Sequence, residues 1–451
     1  MADVTVGIDI GTTSIKALAA DAEGNVVARA RLPHAVRAPG PDVFEHDARA
    51  VWWDGVRTAL AQVSADHTVA AVTVAAMVPS LCAVDGKGQP ISAGLLYGDG
   101  RGSSAGGSPA DSGELLGFLR WLAQRHPEAA GFWPAQAVAN AALVGAGAID
   151  TATAMTAAPV FGPDGWDEAV CASAGVTVDQ LPGLVTGTDP VGAVPVGHLD
   201  AVDGAGAEGA VVSGGTIDAL GEQIVAGADT AGDVLVVCGT TLITWAVVDE
   251  WREADGLWTV PHTTPGLTLV GGASNAGGLF LDRVRALVAD DGPGAEEGVE
   301  PDRVPVWLPY IRGERTPLHD PERRASLVDL DVGHGPGAVA RAAYEAAGFV
   351  VRHHLDLADV TADRIVATGG GTRSSAWMQA LADTTGLPVD VAALPEGAAL
   401  GAAYMARATA GLEPDLSGAG RWARTDHRVE PRSAWAAACD HRYARFRELT
   451  A

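Results

Sequence analysis

The sequence predicts a mixed α/β protein of two large domains built on one repeated plan, and three observations carry that expectation. At 451 residues the chain exceeds one ordinary core, since domains usually run to roughly 100–200 residues. Apolar strands alternate with amphipathic helices, the pattern of sheets flanked by helices. One short arrangement, apolar strand, Gly-Thr-Thr turn, returning strand, also occurs twice: VGIDIGTTSIK near the start and VVCGTTLITW in the second half. Gly11 and Gly239 lie 228 positions apart, about half the chain. A hairpin loop in each half suggests a duplicated fold whose two loops face a shared cleft.

The elements follow in order. Residues 4 to 31 alternate as a β-meander of two or three short strands with a turn at residues 22–25 (AEGN). HDARAVWWDGVRTALAQV (46–63) has helical spacing, with Trp53, Val56, Leu60 and Val63 on one face, and TVAAVTVAAMV (68–78) returns as a buried strand. The most apolar run, 69 to 84, is interrupted by Pro79 and is shorter than the roughly 20 residues of a spanning helix. It predicts a buried strand and turn. RGSSAGGSPADS (102–113) reads as a small-residue loop whose Ser112 caps the helix GELLGFLRWLAQRH. Within the Ala-rich stretch 129–180 the legible piece is GPDGWDEAVCASAG, a turn followed by a helix.

GHLDAVDGAGAEGA (197–210) precedes a new apolar strand, and a boundary is expected near 215–225. The expected domains are 1–222 and 223–451, with roughly the last 30 residues packing back on the first. In RIVATGGGTRSSAWMQALADTTG (364–386) a strand runs through Gly369, Gly370 and Gly371 into a helix capped by Ser374. Free N–H groups at such a helix start are a ready anion site. Three Gly-rich loops in one chain favour a phosphate ligand.

Composition narrows the function. A formal net charge of −26 disfavours nucleic acid and anionic membrane surfaces as partners, because phosphates would be repelled. Lysine occurs only at Lys16 and Lys87, so a lysine beside the first Gly-Thr-Thr turn stands out. Cys82, Cys171, Cys238 and Cys439 form no CxxC pair, which fits a reduced cytoplasm better than a disulfide or zinc framework. The start, MADVTVGIDIG, has no basic n-region of a signal peptide. No GxxxxGK[ST] or HExxH occurs, and no GxSxG stands as a nucleophile elbow, since the string of that form at 102–106 falls in the small-residue loop. GAGAEG (204–209) precedes a strand instead of following one, so a dinucleotide fingerprint is rejected. The adjacent His353 and His354 are expected on a helix surface and not as metal ligands.

With these loops identified, the chain resembles the FGGY carbohydrate kinases, a branch of the sugar kinase, actin and heat-shock ATPase superfamily, and within them the xylulokinases. The resemblance rests on IDIGTTSIK (8–16), EHDARAVWW (45–53), LLYGDGR (95–101), SGGTIDALGE (213–222), VCGTTLITW (237–245), GGASNAGG (271–278), LPYIRGERTP (308–317), TGGGTRSSAWMQALAD (368–383) and PEGAALGAA (395–403), in that order. It implies two ribonuclease H-like (actin-like ATPase) domains hinged around a central nucleotide and sugar cleft. By this resemblance Gly11, Thr12, Thr13 and Lys16 would face the β- and γ-phosphates of ATP, and Asp9 would hold Mg²⁺. Gly239, Thr240 and Thr241 would contact phosphates from the second domain. Gly370, Gly371 and Arg373 would line the adenosine side, with Gly277 and Gly278 nearby.

Phosphoryl transfer asks mainly for positioning and charge neutralisation, which such groups supply. Asp218, read from the residues alone as a helix N-cap, matches the family's catalytic aspartate and would be the general base that also contacts the acceptor. On the sugar side, Met77, Val78 and Pro79 stand where xylulokinases carry Gln-Met-His and glycerol kinases an Arg-Glu pair. Asp99 and Arg101 resemble the Trp-x-Asp-x-Arg stretch of ketose kinases, with Tyr97 for Trp. Asp99 is read either as a sugar-hydroxyl acceptor or as a turn ion pair with Arg101. Ala325 replaces the glycine usual in LHDPERRASLVDL.

The implied activity is ATP-dependent phosphorylation of a small sugar or polyol, first a ketopentose such as D-xylulose. A ribulose, gluconate or erythritol type of acceptor is the alternative. A nucleotide-operated switch of the actin or heat-shock type, or a sugar-binding regulator without catalysis, are the readings from other classes. The expected partners are ATP and the sugar, with a homodimer as one assembly.

Overall fold

The structure is a computed structural model and describes residues 4–40, 42–101, 114–185, 187–199, 205–288, 298–393 and 396–450. The loop 102–113 and its cap Ser112 lie outside the described residues. The chain divides into two compact units, Met1–Val225 with Glu396–Trp422, and Ala226–Pro395 with Ala423–Ala451. The chain therefore crosses from one unit to the other three times. The segment that returns to the first unit is Glu396–Trp422, whereas the final helix, Ser433–Thr450, packs on helices of the second.

In the first unit the strands of the main sheet are β1 (Val4–Ile10), β2 (Ser14–Ala20), β3 (Val26–Pro33), β4 (Val69–Ala76), β5 (Pro190–Ala193), β6 (Val211–Ser213) and β7 (Thr216–Ile217). They form one sheet in the order β5-β6-β4-β1-β2-β3, with β7 also pairing β4. β1, β2 and β3 are the expected meander, and β4 runs parallel to β1, β6 and β7. The second unit contains β8 (Asp233–Cys238), β9 (Leu242–Val248), β10 (Trp258–Pro261), β11 (Thr268–Ser274), β12 (Arg364–Thr368), β13 (Val389–Ala392) and β14 (Thr425–Val429), in the order β10-β11-β9-β8-β12-β13-β14. Reading β3-β2-β1-β4-β6 against β11-β9-β8-β12-β13 gives the same five-strand plan twice: two antiparallel pairings, then two parallel ones. The repeat first visible as Gly-Thr-Thr is a repeat of the five central strands.

Side chains alternate along a strand, and β1 uses both faces. Val4, Val6, Ile8 and Ile10 join a core with Val56, Leu60 and Val63 from the helix that begins as a π-turn at Arg49–Gly55 and continues as Val56–Ser64. The opposite face lies under the helix Gly397–Thr409. A Cβ on Gly7 would collide with the backbone of Ala399 and Ala403, and one on Gly401 with that of Gly221. The small residues of PEGAALGAA thus let a helix rest directly on β1 and on the helix Asp218–Ala226.

The pair His353 and His354 corrects the expectation of a surface position. Both are buried in the helix Pro336–Ala358, and burial pushes each down to about 4. This helix is covered by strands on one side and by the helices Ser375–Thr385 and Ser433–Thr450 on another, so it has little solvent face for a polar pair to occupy. His354 Nε2 lies 3.2 Å from the Thr316 carbonyl oxygen. Among the described residues, no helix is long and apolar enough to cross a membrane.

Candidate active site

The first hairpin turns tightly because the Gly11 N–H donates to the Ser14 carbonyl across it. Asp9 and Lys16 are register partners on β1 and β2 and share a face. Lys16 Nζ donates to Asp9 Oδ2 at 3.1 Å, while Asp9 Oδ1 is buried without a hydrogen-bond partner. The Asp9 carboxylate holds the Lys16 ammonium above its ordinary range, outweighing burial, and Glu222 and Glu396 act in the same sense. The turn's carbonyls are taken from behind: Thr12 O lies 2.9 Å from His46 Nε2, and Thr13 O accepts from the His34 N–H. Thr12 Oγ1 meets Tyr97 OH at 3.0 Å. No bond among the described residues engages the Thr12 and Thr13 N–H groups.

The parallel register places more of the expected residues at the same strand ends. Asp9 and Thr216 both pair with Ala75, and Ile10 and Ile217 with Ala76. One step beyond stand Gly11, Met77 and Asp218, at the carboxyl ends of β1, β4 and β7. With strands about 4.8 Å apart, this row spans roughly 10 Å. Ligands of α/β sheets bind at such ends. Asp218 is half-buried and begins the helix Asp218–Ala226, and its Oδ1 accepts from the Ala219 N–H at 2.7 Å. The Met77 side chain is part of the core beneath this row.

Asp99 and Arg101 form the turn ion pair. Asp99 Oδ1 accepts from the Arg101 N–H and Nε, and Oδ2 from Arg101 Nη2 and the Phe44 N–H. The carboxylate is spent on its own loop and on the Phe44 N–H. Arg101 also reaches Glu45 Oε2 at 3.0 Å and lies over the Trp121 ring.

In the second unit, the Gly239–Thr241 turn is cradled by the start of the helix Gly278–Val288. Gly278 N–H donates to Gly239 O and Leu279 N–H to Thr240 O. A Cβ on Gly277 would strike the Thr241 backbone, so glycine is required for the approach. The Gly369 turn lies beside it, because β12 runs parallel to β8 and pairs Thr368 with Val237. Gly369 adopts a φ of +88° with the Cys238 carbonyl close behind, and Ser374 Oγ caps the next helix by accepting from the Trp377 N–H. Arg373 is exposed at this turn.

Several supporting residues lie outside the sequence expectation. Glu314, from PYIRGERTP, accepts from Ser274 Oγ at 2.6 Å and from the Asn275 and Arg315 N–H groups. It thereby fixes the chain entering Gly277 and Gly278. Burial pushes its carboxyl up to about 7 against those hydrogen bonds. Gln136 Nε2 lies within 3.4 Å of the Ala76 and Thr216 carbonyls and ties β4 to β7 just before Asp218. Paired amide and carboxylate contacts of this kind join positions far apart in the chain, so no local spacing announces them.

The FGGY family of carbohydrate kinases matches this chain in both halves, its N-terminal domain over residues 4–108 and its C-terminal domain over residues 234–410. The chain is 30% identical to the xylulose kinase of Streptomyces rubiginosus, over 93% of this chain and 90% of that one. It is 24% identical to the gluconokinase of Bacillus licheniformis, over 90% and 87%. The crystal structure of xylulose kinase from Rhodospirillum rubrum superposes with a TM-score of 0.83 at 27% identity, covering 99% of this chain and 98% of that one. The duplicated actin-like sheets and these matches agree, and the chain belongs to the FGGY family of carbohydrate kinases, enzymes of ATP-dependent sugar phosphorylation.

Proposed function

We propose that the acceptor is a ketopentose, D-xylulose first, and that Asp218 takes the proton of its reacting hydroxyl as the γ-phosphoryl group of ATP is transferred. The observation that carries this reading is the single row of strand ends holding Asp9, the Gly11–Thr13 turn and Asp218. In a loose transition state the hydroxyl needs orientation more than a strong base, and a carboxylate at a helix start remains ionised for that task. The Thr12 and Thr13 N–H groups and Lys16 receive phosphate charge from one side of the chain's repeat. Gly239, Thr240 and Thr241 do so from the other, while Gly277, Gly278, Gly370, Gly371 and Arg373 serve the nucleotide.

Asp9 fits a role beside Mg²⁺, because its buried Oδ1 has no protein partner. Bound there, Mg²⁺ would neutralise phosphate charge. Xylulose is favoured by the relative at 30% identity. Gluconate is the second acceptor, since the gluconokinase relative also spans 90% of this chain. Met77 and the Asp99–Arg101 turn are assigned to the acceptor side, with Asp99 acting by holding Arg101.

The test is ADP release with Mg·ATP and a panel of D-xylulose, ribulose, gluconate and erythritol. Stimulation by one acceptor is expected, and Asp218→Ala should abolish transfer while calorimetric ATP binding persists. A rate indifferent to every sugar would instead favour a nucleotide switch, and near-normal turnover of Asp218→Ala would remove the base assignment.

A further inference from the structure

The two Gly-Thr-Thr turns solve one problem by different means. To present N–H groups outward, each turn must have its carbonyls engaged from behind. In the second unit the middle carbonyl, Thr240 O, accepts from Leu279 N–H at the start of the helix Gly278–Val288. At the equivalent position of the first unit, Thr12 O meets a side chain, His46 Nε2, at 2.9 Å. The other ring nitrogen, Nδ1, lies 3.1 Å from Trp52 Nε1. An indole N–H can only donate and a carbonyl can only accept. Nδ1 must therefore be bare and Nε2 must carry the proton. Both His46 and Trp52 are 0% exposed, so water does not substitute for either contact, and burial pushes His46 down to about 4. The neutral ring in this one tautomer satisfies both neighbours, whereas a second proton would face the Trp52 N–H.

We infer that His46 is a positioning residue for phosphoryl transfer: locked by Trp52 as the Nε2–H tautomer, it holds the Thr12 carbonyl and so aims the Thr12 and Thr13 N–H groups at the phosphates of the nucleotide. This rests on the assignment of the first turn to ATP. His46 does for the first turn what a helix start does for the second.

Two amide substitutions separate this role from packing. In His46→Gln the side-chain amide nitrogen reaches the place of Nε2, while in His46→Asn it reaches only that of Nδ1 and leaves Thr12 O unsatisfied. Losing one such hydrogen bond corresponds to about fivefold in an equilibrium. In His46→Asn the KM for ATP is expected to rise about fivefold or more with a lower kcat. His46→Gln should stay within about twofold of the unaltered enzyme. Hydrogen exchange across residues 11–14 should quicken in His46→Asn and not in His46→Gln, a readout needing no turnover. Nitrogen NMR of the unaltered protein should show Nε2 protonated. Equal kinetics and equal exchange in the two variants, or a ring protonated on Nδ1, would overturn the inference. If the unaltered protein binds no ATP by calorimetry while exchange still separates the variants, the ATP assignment fails and the hold of His46 on the first turn stands.

Discussion

Lys16 is the cation of the first hairpin, and its counterpart in the repeat is Thr244, opposite Val236 in the second. Charge chemistry is therefore confined to one of two similar turns. Lys16→Met should leave the Asp9 carboxylate, 4% exposed, without its cation, a destabilising change of about 3 kcal/mol or more. Adding Asp9→Asn should recover most of the lost Tm while turnover stays down by about 100-fold or more. Recovery of both together would show Lys16 to be structural. Glu314 gives a pH prediction. Its folded pKa, about 7, lies above the ordinary 4.5, so the folded state holds the extra proton between these values. Its contribution to stability is present in acid and is lost as pH rises through about 7. Glu314→Gln should flatten the slope of Tm against pH between 4.5 and 7, and an unchanged slope would rule the group out.

At this scale the sequence was most legible where chemistry is local. The Gly-Thr-Thr turns, the Ser374 cap and the place of Asp218 at a strand-to-helix junction are all short-range patterns. Asp99 was half legible. Its pairing with Arg101 lies two positions away, but the Phe44 N–H that takes its other oxygen lies 55 positions away. His46 was quoted within a motif without a role, because Thr12 and Trp52 meet it only after folding.

Among elements, the helix Gly397–Thr409 packs with little tolerance for added side-chain atoms. Leucine or valine side chains usually build such contacts, yet here glycine faces backbone at Gly7, Gly221 and Gly401. Gly7→Val should cost stability by about 3 kcal/mol or more through overpacking and backbone displacement. Denaturant unfolding would measure it, and a change below about 0.5 kcal/mol would refute the close approach. The same helix shows why element boundaries outran the reading. PEGAALGAA looks like any Ala-rich helix, and nothing in its periodicity says which sheet it covers. His353 and His354 failed for a related reason: amphipathic logic places a polar pair outside, but a helix covered on several sides by strands and helices buries them.

For the molecule as a whole, the repeat of two sheets was readable from two short strings, whereas the path of the chain was not. Cutting after residue 225 removes the cover of β1 and β4, because that cover is residues 396–422. A fragment of residues 1–225 should be readily cleaved by protease, and joining 396–422 to it through a flexible linker should restore protection. Protection of the short fragment alone would contradict this view. A timing consequence attends synthesis on the ribosome. The first sheet is translated early, yet its glycine-lined face must wait for a helix encoded almost two hundred residues later. At about 5–20 residues per second that delay is roughly 10–40 seconds, a window in which β1 presents the face bearing Gly7 and Asp9 to whatever nascent-chain chaperone or neighbouring polypeptide arrives first.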